Sequence, residues 1–278
     1  MEKIGFMQGR LSPLVESRIQ AFPWDHWESE FPLAASAGFE LIEWTLDDER
    51  LYENPLMTGE GQIQIAALRE ESGVVVASLT GDCFMQRPFW KADPHGYHQG
   101  ERDLLAIATA CHTVGISQIV VPLVDNGNLE NQDQEKVLVE TLGRHVDTFR
   151  DLGLGIAFES DLGPIELLNF LDRFDSSIVG INYDIGNSAS LGYRPAEELG
   201  AYGSRVTNVH VKDRKYGGPS VPLGEGCADF QSVFDQLDEV GYDGNYILQT
   251  ARSSSGDHIG ALCMYRDLTS AWIESSER

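Results

Sequence analysis

The chain is short of cysteine, of basic residues and of long apolar runs, and each shortage removes a class of protein. Cys83, Cys111, Cys227 and Cys263 lie far apart with no CxxC pair, which excludes a disulfide-stapled scaffold and a thiolate zinc module and fits reduced thiols in a cytoplasmic setting. Lys and Arg number 20 against 44 Asp and Glu, a formal charge of -24. A surface of that sign repels phosphate backbones and anionic lipid, so we expect no nucleic-acid partner and no membrane partner. No apolar stretch approaches the roughly 20 residues of a membrane span, and Glu2 and Lys3 lead into a strand-like run rather than a signal peptide. Nucleotide fingerprints are missing too: GFMQGR stands where a GxGxxG turn would follow the first strand, and no GxxxxGK[ST] segment occurs.

What remains is an ordinary globular composition, 42% apolar and 23% charged, arranged as short β-rich runs alternating with helical stretches. The expected strands are Lys3–Arg10, Leu41–Leu46, Val74–Thr80, Gln118–Val124, Gly155–Glu159, Val179–Ile185, Val206–Val211 and Tyr246–Gln249. Between and after them run helices Trp27–Ala37, Gln62–Ser72, Glu101–Val114, Gln134–Leu152, Pro164–Phe174, Pro195–Tyr202, Phe230–Val240 and His258–Ile273. Gly38, Gly73, Gly115 and Gly153 stand just past helix ends, where a left-handed cap is needed. Eight strand–helix units in roughly 250 residues predict a single-domain α/β protein over residues 1–278, a closed (β/α)8 TIM barrel. An open doubly wound sheet is the rival, and the missing dinucleotide fingerprint counts against it.

The stretch Val206–Gly226, VTNVHVKDRKYGGPSVPLGEG, marks the functional end. Side chains alternate along a strand, so Asn208, His210 and Lys212 share a face opposite Val209 and Val211. In such a barrel the chemistry sits at the C-terminal strand ends. There the fifth strand presents Glu159, the sixth Asp184, the seventh His210 and the eighth Gln249. Singly these have plain readings: an ion-paired carboxylate, a turn aspartate, a hydrogen-bonded core histidine, an uninformative glutamine. Four on successive strands point to one site. Two carboxylates, one imidazole and one amide oxygen suit one divalent ion, Mn²⁺, Mg²⁺, Co²⁺ or Zn²⁺. Such an ion polarises a hydroxy-carbonyl substrate and stabilises an enediolate.

Glu159, NYDIGNSAS around Asp184, NVHVKDR around His210, LGEGCADF, MQGRLSP and the run from Gln20 to Glu43 resemble the sugar phosphate isomerase/epimerase group of xylose isomerase-like barrels. The resemblance covers nearly the whole chain and implies a divalent metal held at these strand ends, with a sugar or sugar phosphate as small-molecule partner. It also implies a departure. The ketose 3-epimerases of the group carry a proton-transferring Glu on the eighth strand, whereas this chain has Gln249, which ligates but accepts no proton. Isomerisation with one base, or dehydration by one base and one acid, is thereby favoured over two-base epimerisation, with Lys212, Asp82 or Glu43 as candidate second bases. A catalytically silent sugar-binding barrel is the alternative. The apurinic endonucleases of the superfamily are the other familiar members. Seven histidines in all, with Asn187 where those enzymes place a histidine ligand, set this chain apart from them.

We expect Glu159 as base with Lys212 as acid or oxyanion partner. Substrate binding is expected from Arg10, Glu43, Asp82, Asn187, Arg214 and Arg252. Arg10, Arg87, Lys91, Lys212, Arg214, Lys215 and Arg252 fall near strand ends, and a cationic rim there suits an anionic substrate. Gly217–Gly226 reads as a lid or a phosphate-binding loop. Trp24 and Trp44 are candidates for a stacking wall or for core filling, and His95 and His98 for loop acid–base groups. Association through the outer helices into a homo-oligomer is compatible with this fold.

Overall fold

In the computed structural model, which describes residues 4–276, eight strands close into a barrel. They are β1 (Ile4–Met7), β2 (Leu41–Thr45), β3 (Val75–Thr80), β4 (Gln118–Leu123), β5 (Gly155–Ser160), β6 (Val179–Asp184), β7 (Val206–Val211) and β8 (Asn245–Leu248). Each pairs in parallel with its neighbours, and β1 closes the ring between β2 and β8. Lys3, assigned to the first strand, lies outside the described residues, as do the ends of the domain span at 1–2 and 277–278.

The helices follow the alternation, with altered ends. They are α1 (Glu30–Ser36), α2 (Gly59–Ser72), α3 (Asp82–Gln86), α4 (Pro94–Val114), α5 (Gln132–Leu152), α6 (Pro164–Leu171), α7 (Ile185–Leu191), α8 (Pro195–Tyr202), α9 (Phe230–Glu239) and α10 (His258–Ser276). Capping explains the earlier starts: Thr58, Asp93 and Asn131 each accept backbone N–H bonds from the first turn of α2, α4 and α5. The stretch PHGYHQG, expected to be a loop, therefore forms the first turns of α4. It carries His95 and His98 on the exposed outer face of α4. The short helices α3 and α7 were not expected, and both bear on the site because they begin at Asp82 and directly after Asp184.

Two irregularities of strand pairing matter more than the helix ends. Between β2 and β3 the register skips after Ile42, bringing Glu43 beside Ser78 and Thr45 beside Thr80. Between β6 and β7 it skips after Ile181, so that Asn182 pairs with Asn208 and Asp184 with His210. Because side chains alternate, each slip decides which face a residue serves. Both slips turn polar residues into the barrel interior. Apolar residues on the other strand faces pack under the helices, as in the Phe158–Phe170–Phe174 cluster and the Phe230–Trp272 stack at 4.2 Å. Trp44 is fully buried in this core with its indole N–H on Asn54, and Trp24 lies under the Arg50 guanidinium. Neither tryptophan lines the barrel mouth, so core filling is their role.

Candidate active site at the barrel mouth

The floor of the site is a buried polar layer. Glu43, fully buried, accepts from His210 Nε2 at 2.7 Å and from Thr80 Oγ1 on one oxygen, and from Ser78 Oγ at 2.6 Å and Asn208 Nδ2 at 2.9 Å on the other. Burial works against charge on both members of the Glu43–His210 pair. Their mutual attraction prevails, holding the Glu43 carboxyl below its usual range. His210 is likewise opposed by burial, yet Glu43 and Glu159 raise it to about 10. Glu43 was expected to bind substrate or act as a second base. The structure corrects this: both its oxygens are occupied beneath His210.

Above this layer, one ligand-capable atom each from Glu159, Asp184 and His210 lies within 4.8 Å of the others, all three residues buried. With Nε2 committed to Glu43, His210 turns Nδ1 towards Glu159 Oε2 at 3.2 Å and Asp184 Oδ2 at 4.0 Å. Asn182 Nδ2 lies 2.9 Å from both Glu159 Oε2 and His210 Nδ1. Asp184 does two jobs: Oδ1 caps α7 through Asn187 N–H at 2.8 Å, while Oδ2 faces the cluster. Burial pushes the Asp184 carboxyl up, with Lys212 opposing. Burial also opposes charge on Glu159, but His210 and Lys212 hold it below its usual value.

Gln249, the fourth expected ligand, is bonded to Lys212. Lys212 Nζ lies 3.1 Å from Asp184 Oδ2 and 3.0 Å from Gln249 Oε1, so both oxygens already converge on one cation. Two carboxylate groups and an imidazole nitrogen backed by a carboxylate fit a divalent ion of the oxygen- and nitrogen-preferring kind.

This cluster floors a cavity of about 450 Å³ at the C-terminal strand ends, lined among others by Glu159, Asn187, Lys212, Arg214, Gln249, Asp82 and Gln20. Asn187 donates to Glu159 Oε1 at 2.7 Å and accepts from Arg214 Nη1 at 2.8 Å. Arg10 and Arg252, by contrast, are spent elsewhere. Arg10 donates to Thr250 O and Ile19 O, and Arg252 to the carbonyls of Gly9 and Ser12. Both line a separate small crevice beside α10, because these loops have carbonyls that need donors. Arg87 pairs with Asp48 and Asp103, Lys91 with Asn128 and Glu130, and Lys215 with Glu225 O. Of the expected cationic rim, only Lys212 and Arg214 line the cavity, together with Asp82, Asp125 and Asp161, and Arg214 is itself held by Gly218 O through Nε and Nη2 at 3.0 and 2.8 Å.

The glycine-rich loop is also tied down. Asp213 accepts from the N–H groups of Gly224, Gly226 and Ala228 at 2.9, 2.7 and 3.1 Å, and Asp213–Arg214 pairs with Ser220–Val221 as a short antiparallel ladder. Those N–H groups bind a side chain of the same chain rather than a phosphate. Gly226 is required there, since an added Cβ would stand 1.9 Å from Asp213 Oδ1.

Asn208 was read on the face of His210, but Asn182, Gln20, Ser78 and Thr80 escaped sequence reasoning. Asn182 stands two positions before Asp184, so period-two alternation does signal it. Gln20, in an irregular segment, and Ser78 and Thr80, set by a register slip, carry no such signal.

Residues 31–272 match the xylose isomerase-like TIM barrel family, and the chain belongs to it. The resemblance read from the strand-end motifs holds at that level. An L-ribulose-5-phosphate 3-epimerase of Escherichia coli is 26% identical over 258 residues, 90% of this chain and 89% of the relative. A D-allulose 3-epimerase from Methylomonas sp. superposes with a TM-score of 0.75 at 18% identity, covering 98% of each chain. A xylose isomerase domain protein from Planctomyces limnophilus gives 0.75 at 15% identity, covering 99% of this chain and 98% of the other. The two solved structures speak to the fold. No helix among the described residues is long and apolar enough to cross a membrane.

Proposed function

We propose that the chain is a divalent-metal-dependent isomerase or epimerase of a sugar or sugar phosphate, moving a proton on a carbon α to a carbonyl. The observation that carries this reading is the convergence of Glu159, Asp184 and His210 within 4.8 Å, beneath a cavity large enough for a pentose or hexose. When bound there by these three residues and Gln249, a divalent ion would polarise the carbonyl and balance charge on its oxygen. Glu159 is the base: it lines the cavity, is held ionised by His210 and Lys212, and is oriented by Asn182 and Asn187. Lys212 places a cation beside the same carbonyl oxygen, and Arg214 with Asn187 orients hydroxyls. The sugar-phosphate epimerase among the relatives supports the substrate class.

The test is solvent exchange. Purified protein loaded with Mn²⁺ or Co²⁺ is incubated in D₂O with L-ribulose 5-phosphate, L-ribulose, D-fructose and D-allulose. Deuterium should enter at a carbon α to the carbonyl of at least one sugar, and Glu159→Gln should abolish it. No incorporation across the panel would leave a barrel that binds without catalysing, and a dehydrated product would assign dehydration instead.

A further inference from the structure

An enediolate is planar, so a base that removes a proton from one face and returns it to that face leaves the configuration unchanged. Inversion needs a proton donor on the opposite face. Gln249 has no ionisable proton to give. Asp82 is a carboxyl on the cavity wall, at the first position of α3 beyond β3, two strands from Glu159, and it takes part in none of the metal-facing contacts described above. Its side chain is nearly buried, at 7% exposure.

Asp82 is held by a relay that begins at Gln249. Lys212 Nζ donates to Gln249 Oε1, Gln249 Nε2 donates to Gln20 Oε1 at 2.9 Å, and Gln20 Nε2 donates to Asp82 Oδ2 at 2.7 Å. One carboxyl oxygen is thereby fixed, and the other is left for the cavity. We infer that Asp82 is a second acid–base residue, delivering a proton to the substrate face opposite Glu159 and making the enzyme an epimerase. This rests on the proton-transfer reading above and deepens it.

The steps balance. Glu159 takes the proton as the C–H bond breaks, and the electron pair moves onto the carbonyl oxygen. Asp82, protonated, then gives its proton to the other face of the same carbon as the C–H bond reforms and the carbonyl returns. Glu159 ends protonated and Asp82 ionised, and exchange with solvent in the open cavity resets both. The reverse reaction exchanges their roles. In the metal-free protein, burial, then the charge of Asp47, raise the Asp82 carboxyl from its ordinary 3.8 to about 7. The ionisable groups that face it are Asp47 beyond β2, Glu159 on β5, His210 on β7 and Arg10 beyond β1.

The experiment compares wild type, Asp82→Asn and Asp82→Glu, each Mn²⁺-loaded and checked for one ion per chain, on the sugars of the exchange panel in D₂O. Wild type should give the epimer carrying deuterium. Asp82→Asn should form the epimer at least about 100-fold more slowly, while deuterium still enters the recovered substrate through Glu159, which also reports a folded, loaded site. Asp82→Glu should restore part of the inversion. In parallel, the infrared carboxyl band lost in Asp82→Asn should titrate near pH 7 in the metal-free protein. Inversion by Asp82→Asn within threefold of wild type, a band that titrates near pH 4, or wild-type exchange without any inversion each overturns the assignment to Asp82 and leaves the proton-transfer reading intact. Wild type with no exchange at all overturns that reading, and this assignment with it.

Discussion

Replacing Glu43 by Gln tests the buried layer on which the site stands. Each carboxylate oxygen of Glu43 receives two donors, His210 and Thr80 on one, Ser78 and Asn208 on the other. An amide keeps one acceptor but turns an NH₂ group toward two of those donors, and it removes the charge that supports protonated His210 in the metal-free protein. Breaking a buried pair by neutralising one partner costs about 3 kcal/mol or more. In the loaded protein, losing the carboxylate that accepts from a ligating imidazole weakens metal binding about 10- to 100-fold, or roughly 1.4 to 2.7 kcal/mol. Urea unfolding at pH 7 in chelator reads the first quantity, and calorimetric titration of the folded variant with Mn²⁺ reads the second. Unfolding within about 0.5 kcal/mol of wild type, together with Mn²⁺ affinity within about twofold, would show that Glu43 does not organise His210 and that the layer is decorative.

Elemental analysis should find one divalent ion per chain in wild type and none held stoichiometrically by Glu159→Gln or His210→Ala; full retention by both variants would remove the metal site. Gly226→Ala should cost about 1–3 kcal/mol and open residues 217–226 to limited proteolysis, because its Cβ displaces Asp213 from three N–H groups. Glu30 supplies a pH test. Burial, opposed by the Gly9 N–H and other donors, raises it from the ordinary 4.5 to about 7. A carboxyl that binds its proton more tightly when folded loses stability for the protein as pH rises from its unfolded value to its folded one. The stability of wild type relative to Glu30→Gln should therefore fall between pH 4.5 and 7 in urea titrations, and a rise across that window would contradict the burial argument.

Much of the architecture was legible because it is periodic. Alternating strand and helix patterns, closed by Gly73, Gly115 and Gly153, give parallel pairing, and eight units close a ring. Strand alternation also put Asn208, His210 and Lys212 on one face, and the rule that barrel chemistry sits at C-terminal strand ends selected Glu159, Asp184, His210 and Gln249 as a set. These inferences depend on residues near in sequence or equivalent in phase, and such relations survive without coordinates.

Tertiary structure decided what depends on long-range partners. Arg10 and Arg252 look like substrate arginines by position, yet the carbonyls of Gly9, Ser12, Ile19 and Thr250 claim them because those loops have acceptors to satisfy. Glu43 was indistinguishable from a mouth residue until a register slip against β3 set it beside Ser78 and beneath His210. The glycine-rich loop read as free until Asp213 was seen to hold it, and Gln20 carried no signal before Gln249 and Asp82 were found on either side of it. A sequence records which groups can donate and accept. Which donor meets which acceptor is set by the closure of the barrel, since the partners that compete for each side chain lie up to hundreds of residues away along the chain.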